Sequence, residues 1–130
     1  MRILADTNLF LKFCRRLPLP TEVKAAFEDE QNELCLSAVS ALEIFRLWQI
    51  GRVPGNPDTW LDLALPSWTV ISIDVPIARQ SVLFPWEHRD PADRLIAATA
   101  KLEKIELWHT DTVLKKLTGF PHRYFKNASE

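Results

Sequence analysis

Apolar residues along this chain fall into two kinds of run. Residues 2–5 ("RILA"), 34–37 ("LCLS"), 69–73 ("TVISI") and 105–110 ("IELWHT") are short and largely apolar. They read as strands buried on both faces. Between them lie longer stretches with apolar residues at helical spacing: 21–30, 37–51, 58–65, 75–84, 91–104 and 111–117. Thr21 after Pro20 and Ser37 read as N-caps, Gly51 as a stop, and Pro66 as the end of the helix before it. Short strands alternating with helices predict an α/β fold, a three-layer α/β/α domain around a mainly parallel sheet of four or five strands. The fifth would be an edge strand at 123–125 ("RYF").

One helical pattern begins oddly. In "HRDPADRLIAATA" (88–100) two acids, Asp90 and Asp93, stand three residues apart before a long apolar run. One acid would cap the helix; two on one face repel unless a cation lies between them. Other acids stand at comparable places. Asp6 ends the first strand, Asp111 follows the strand at 105–110, and Glu43 lies about two turns into the helix after 34–37. In a parallel sheet the loops leaving the carboxyl ends of the strands share one edge, where ligands bind. The topology therefore brings Asp6, Glu43, Asp93 and Asp111 towards one spot. At about 5 Å and an effective dielectric of about 20, each like-charged pair costs roughly 3 kcal/mol. Either some of these acids hold protons or cations occupy the cleft. An all-oxygen donor set favours Mg²⁺ or Mn²⁺, ions suited to phosphodiester hydrolysis.

Taken singly, each acid has an ordinary reading. Asp6 before Thr7 and Asn8, and Asp111 before "TVLKKL", are possible N-caps. Asp93 gains from the helix dipole, and Glu43 stands where many surface acids stand. The argument rests on the four together. Asp90 reads as the cap of its helix or as a group behind the site, and Arg94 as an ion-pair partner of Asp93. Asn8 is expected to orient Asp6, and Thr110 to bond a ligand acid or the scissile phosphate. His88 and His109 flank the acids and could contact substrate, with a capping or surface role as their default, and His122 receives no role. Lys12, Arg15, Arg16, Arg46 and Arg89 could line a phosphate path, with solvated surface as their default.

Composition narrows the field. The 130 residues suit one compact domain, residues 1–130, and 47% hydrophobic with 25% charged residues is close to the globular average. The net charge of −1 gives no overall positive field for nucleic acid. Cys14 and Cys35 lack metal-ligand spacing and read as buried thiols. No run approaches the roughly 20 apolar residues of a membrane span, and the start has no signal-peptide pattern. A cytoplasmic protein without a membrane partner is the expectation.

Four pieces, "LADTNLFL", "SAVSALEI", "HRDPADRLIAATA" and "HTD", occur in this order across nearly the whole chain. With them the sequence resembles PIN-domain proteins, and among these the VapC-type toxins of bacterial toxin–antitoxin pairs. The resemblance implies a Mg²⁺- or Mn²⁺-dependent ribonuclease whose acids are Asp6, Glu43, Asp93 and Asp111. It further implies transfer or ribosomal RNA as substrate, a cognate VapB-like antitoxin that blocks the cleft, and a homodimer. Many relatives carry Thr two residues before the last acid, where this chain has His109. Rival classes fit less well. An aspartyl phosphatase wants a second acid at position 8, which is Asn, and a receiver-like module wants a lysine where the chain reads "WHTD". A PIN domain acting chiefly in binding stays open at this point.

Overall fold

The computed structural model describes residues 1–127. Five strands, β1 (Arg2–Ala5), β2 (Glu33–Ser37), β3 (Thr69–Ile71), β4 (Glu106–His109) and β5 (His122–Tyr124), form one parallel sheet in the order β3-β2-β1-β4-β5. Six helices cover its two faces: α1 (Thr7–Cys14), α2 (Thr21–Glu28), α3 (Ala38–Gln49), α4 (Pro57–Ala64), α5 (Val75–Leu83) and α6 (Pro91–Glu103). The expected α/β architecture is present with all five strands, and the edge strand β5 runs parallel to β4.

The central strands β1, β2 and β4 lack a polar face because both faces are covered there, whereas the edge strands β3 and β5 keep exposed residues. Ile3 and Ala5 of β1, Leu34 and Leu36 of β2 and Trp108 of β4 belong to one core, with side chains from α1, α2, α3 and α4. Leu4, Cys35 and Leu107, at the alternate positions, belong to the other, with α5 and α6. Period-two alternation thus sorts residues between two apolar layers instead of between core and water. In the first layer Trp68 meets the edges of Phe10 and Phe27, with centroids 4.9 and 5.4 Å away.

Helix boundaries follow local chemistry. Ser37 Oγ accepts the Val39 N–H and caps α3, which ends just before Gly51 at φ +79°. Pro20, not Thr21, occupies the N-cap position of α2, and no side chain caps that helix. Two further expectations change. Residues 7–14 form a helix that was not among those expected, with Leu9, Phe10 and Leu11 buried and Asn8 exposed. Of the helix expected at 111–117 only a 3₁₀ turn at Leu114–Lys116 forms. Cys14 and Cys35 are free thiols, the first half-buried and the second buried. Among the described residues no helix is long and apolar enough to cross a membrane.

The strand order fixes where a ligand site can form. The chain steps outward from β1 through β2 to β3, then returns to β1's other side for β4 and β5. The crevice beyond the carboxyl ends of β1 and β4 is the switch point, where connections leave in opposite directions.

Candidate active site

Asp6 immediately follows β1 and Thr110 and Asp111 follow β4, so both sides of the crevice carry an acid. Helix α6 starts beside it and brings Asp93 in its first turn, while α3 contributes Glu43. All four acids line one open cleft of about 440 Å³ together with Thr7, Asn8, Asp90 and Thr110. The convergence expected from topology is therefore present in the geometry.

Asp6 is buried at 8% exposure. Its Oδ1 accepts the Leu9 N–H at 2.8 Å, so the residue caps α1 while it lines the cleft. Burial pushes its carboxyl up to about 7; backbone N–H groups of Leu9 and Thr110 oppose the rise, and the charges of Asp93 and Asp111 add to it. Glu43 is half-buried. Its Oε1 accepts from Thr7 Oγ1 at 2.5 Å, and Thr7 Oγ1 also lies 2.8 Å from the buried Ser40 hydroxyl. Burial raises the Glu43 carboxyl, the Thr7 hydroxyl holds it back, and Asp93 and Asp90 raise it further. Asp93 is likewise raised by burial, lowered by its bond to His88, and raised by Asp90 and Asp111. These acids thus feel one another across the cleft, and no lysine or arginine pairs with any of the four among the described residues.

The supporting residues sort differently from expectation. Asp90 is the N-cap of α6, with Oδ1 accepting the Ala92 and Asp93 N–H groups at 2.9 and 3.2 Å. Arg94 does not pair with Asp93. It donates to four backbone carbonyls, those of His88, Ser81, Phe84 and Trp86, at 2.7, 2.9, 3.1 and 2.7 Å. Adjacent helical positions face different directions, so Asp93 looks into the cleft while Arg94 looks towards the end of α5. The partner of Asp93 is His88, whose Nε2 lies 2.8 Å from Oδ2. Asn8 does not bond Asp6 through its side chain. Its Nδ2 donates to Thr110 Oγ1 at 3.0 Å, linking the two loops at the mouth of the cleft. His109 is fully buried, not a surface group. Thr7 and His88 are the contacts that the sequence pattern missed. Thr7 could be aimed only once α1 was known, and His88 stands on an irregular segment with no period.

The donors around the cleft are carboxylates and hydroxyls, the oxygen set that hard cations take. Among the described residues no three His, Cys, Asp or Glu side chains are close enough to form a ready cage. Carboxylates spread around an open cleft suit an ion that keeps several water ligands, as Mg²⁺ does. The raised carboxyls point the same way, because positive charge between them would relieve both burial and repulsion.

Comparison with known proteins agrees with this geometry. The PIN domain model matches residues 3–119. No curated protein matches at a significant level. Among solved structures, the chain resembles VapBC2 from Rickettsia felis bound to a DNA fragment from its promoter, with 15% identity over 97% of this chain and 100% of that one and a TM-score of 0.76. It also resembles a toxin–antitoxin complex from Klebsiella pneumoniae, with 26% identity over 85% and 87% of the two chains and a TM-score of 0.61. FitAcB from Neisseria gonorrhoeae shares 24% identity over 85% and 88% of the two chains, with a TM-score of 0.64. With the family's model matched over residues 3–119 of this chain, and with Asp6, Glu43, Asp93 and Asp111 gathered at the switch point of a parallel sheet, the chain belongs to the PIN-domain family.

Proposed function

We propose that this protein is a metal-dependent endoribonuclease of the VapC type, the toxin of a toxin–antitoxin pair. The observation that carries the reading is the convergence of Asp6, Glu43, Asp93 and Asp111 on one cleft. Asp6 and Asp93 would hold the principal Mg²⁺ or Mn²⁺, with Glu43 and Asp111 assisting directly or through water. A hard cation held there would supply positive charge against the phosphodiester and acidify water. The chain's own residues set the stage for this chemistry. Thr7 holds the Glu43 carboxylate by its hydroxyl, and His88 holds Asp93. The Asn8–Thr110 pair places amide and hydroxyl groups at the mouth of the cleft, where a phosphate oxygen or a ribose could be bonded. Backbone N–H groups of Leu9 and Thr110 support a negative charge on Asp6.

The partner proposals rest on surface and fold. Leu42, Trp48 and Ile50 on and just after α3, and Val75, Val82 and Leu83 on α5, are exposed apolar side chains. They support coverage by an antitoxin or by a second copy of the chain. The similar solved structures, which are toxin–antitoxin complexes, support the antitoxin. An RNA substrate, transfer or ribosomal RNA, and a cytoplasmic location belong to the same proposal.

The test is cleavage of total RNA by purified protein with Mg²⁺ or Mn²⁺, with EDTA, and with Asp93→Asn. Discrete fragments that vanish with EDTA and with the variant are the expected result. Folded protein that cuts nothing in either metal, or Asp93→Asn at full activity, overturns the assignment.

A further inference from the structure

Asp111 is the one cleft acid that stands beyond the end of a strand without a helix behind it; only the 3₁₀ turn Leu114–Lys116 follows. Its Oδ1 accepts the Val113 N–H at 2.7 Å, which orients the carboxylate on its own turn. Something must also fix that turn against the sheet. The contact is made by His109, the last residue of β4, which is fully buried and does not line the cleft. The Asp111 backbone N–H donates to His109 Nδ1 at 3.2 Å. The other ring nitrogen, Nε2, lies 2.9 Å from His122 Nδ1, and His122 Nε2 lies 2.9 Å from the Leu117 carbonyl oxygen. Phe120 stacks on the His122 ring with centroids 4.2 Å apart and planes 16° apart, which holds that ring in place.

The two ends of this chain cannot reverse. A backbone N–H only donates, and a carbonyl oxygen only accepts. Leu117 therefore requires a proton on His122 Nε2. A neutral His122 then offers a bare Nδ1, which requires a proton on His109 Nε2. A neutral His109 in turn offers a bare Nδ1, the acceptor that the Asp111 N–H needs. For a neutral pair this is the single arrangement that satisfies every contact.

We infer that His109 and His122 are positioning residues for Asp111. The Leu117 carbonyl, on the far side of the pair from the cleft, sets the tautomers that hold the Asp111 turn in place. The inference rests on the proposed reading of Asp111 as a cation-holding acid.

The experiment has two parts. Nitrogen-15 NMR of the histidine rings in the unaltered, metal-free protein reads the tautomers directly. Both His109 and His122 are expected as the Nε2–H form, and an Nδ1–H form at either ring overturns the inference. The second part compares His109→Thr with His109→Val, which leave the same void and differ by one hydroxyl. Thr can accept the N–H two residues on, as in an ST-turn, and Val cannot. Mn²⁺ binding by titration calorimetry is expected to stay within about threefold of the unaltered protein for Thr. It is expected to weaken by about tenfold or more for Val and for His122→Phe, as loss of a group behind a ligand does. Equal affinity of the Thr and Val variants, with Asp93→Asn still reducing binding, overturns the positioning role and leaves the functional reading standing. No Mn²⁺ binding by the unaltered protein overturns both.

Discussion

Replacing Asp6 by Asn should make the metal-free protein more stable at neutral pH and leave it little changed in acid. The carboxyl titrates near 3.8 in an unfolded chain and is raised to about 7 in the fold, chiefly by burial. A raised carboxyl binds its proton more tightly when folded. Its contribution is therefore fully present below pH 3.8 and lost as pH rises through about 7. At about 1.4 kcal/mol per pH unit, the metal-free protein gives up about 4 kcal/mol by pH 8. Asn keeps an oxygen for the Leu9 N–H and is a good N-cap, but its amide meets the Thr110 N–H poorly, which costs about 1 kcal/mol. The net expectation in EDTA is a gain of about 3 kcal/mol at pH 8, shrinking to zero or a small loss near pH 4. The difference between variant and parent must be followed, because His109 opposes Asp6 in the parent. Burial and His122 lower His109 from 6.5 to about 4, so its contribution is present above 6.5 and lost as pH falls towards 4. Urea denaturation of both proteins at pH 4, 6 and 8 gives the three differences. Added Mg²⁺ should then stabilise the parent and not the variant. A gain that does not change with pH, or a loss at pH 8, would refute the reasoning.

Arg94→Lys should destabilise the protein by about 2–4 kcal/mol in denaturant melts, because an ammonium cannot serve four carbonyls in the guanidinium plane. Cleavage should fall as well, since the released carbonyls include that of His88, the partner of Asp93. Asp90→Ala should cost about 1 kcal/mol by uncapping α6, and Asp90→Asn should recover most of that loss.

The sheet was legible because its strands are short apolar runs separated by proline and by capping residues, and β1 matches its expected span of 2–5. Helix α1 was not. Asn8 and Lys12 do stand one turn apart on the side away from Leu9, Phe10 and Leu11, but a run of eight residues directly behind a strand is too short for its period to announce a helix. For Asp6 the sequence offered an N-cap or a cleft acid as alternatives, and the structure shows the residue doing both. At 111–117 the residues have helical spacing, but the turn ends at Lys116 and Gly119 and Pro121 follow within a few residues. Among the site residues, Asp90 was readable from the cap position before Pro91. Arg94 was misread because neighbours in sequence were taken as neighbours in space, which a helix forbids at a spacing of one. The His109–His122 contact joins β4 to the edge strand β5, and nothing in the spacing of two histidines announces a shared register.

The way the cleft is built bears on how it would meet a nucleic acid. A protein that only stored acids there could neutralise them with the arginine next in sequence. Here that guanidinium is committed to carbonyls on the other side of α6, and the groups that hold Asp6 and Glu43 are neutral: backbone N–H and the Thr7 hydroxyl. Such donors orient a carboxylate without cancelling its charge. A phosphodiester at about 5 Å from one ionised carboxylate meets roughly 3 kcal/mol of repulsion at an effective dielectric of about 20, and several carboxylates multiply that figure. The bare cleft therefore repels the substrate proposed for it. A divalent cation reverses the sign, because it draws both the acids and the phosphate to itself. On this reading the raised carboxyls of Asp6, Glu43 and Asp93, the stability lost in the metal-free fold and the need for an ion in RNA binding share one origin. Negative charge has been gathered in a partly buried place and left for a cation from solution to balance.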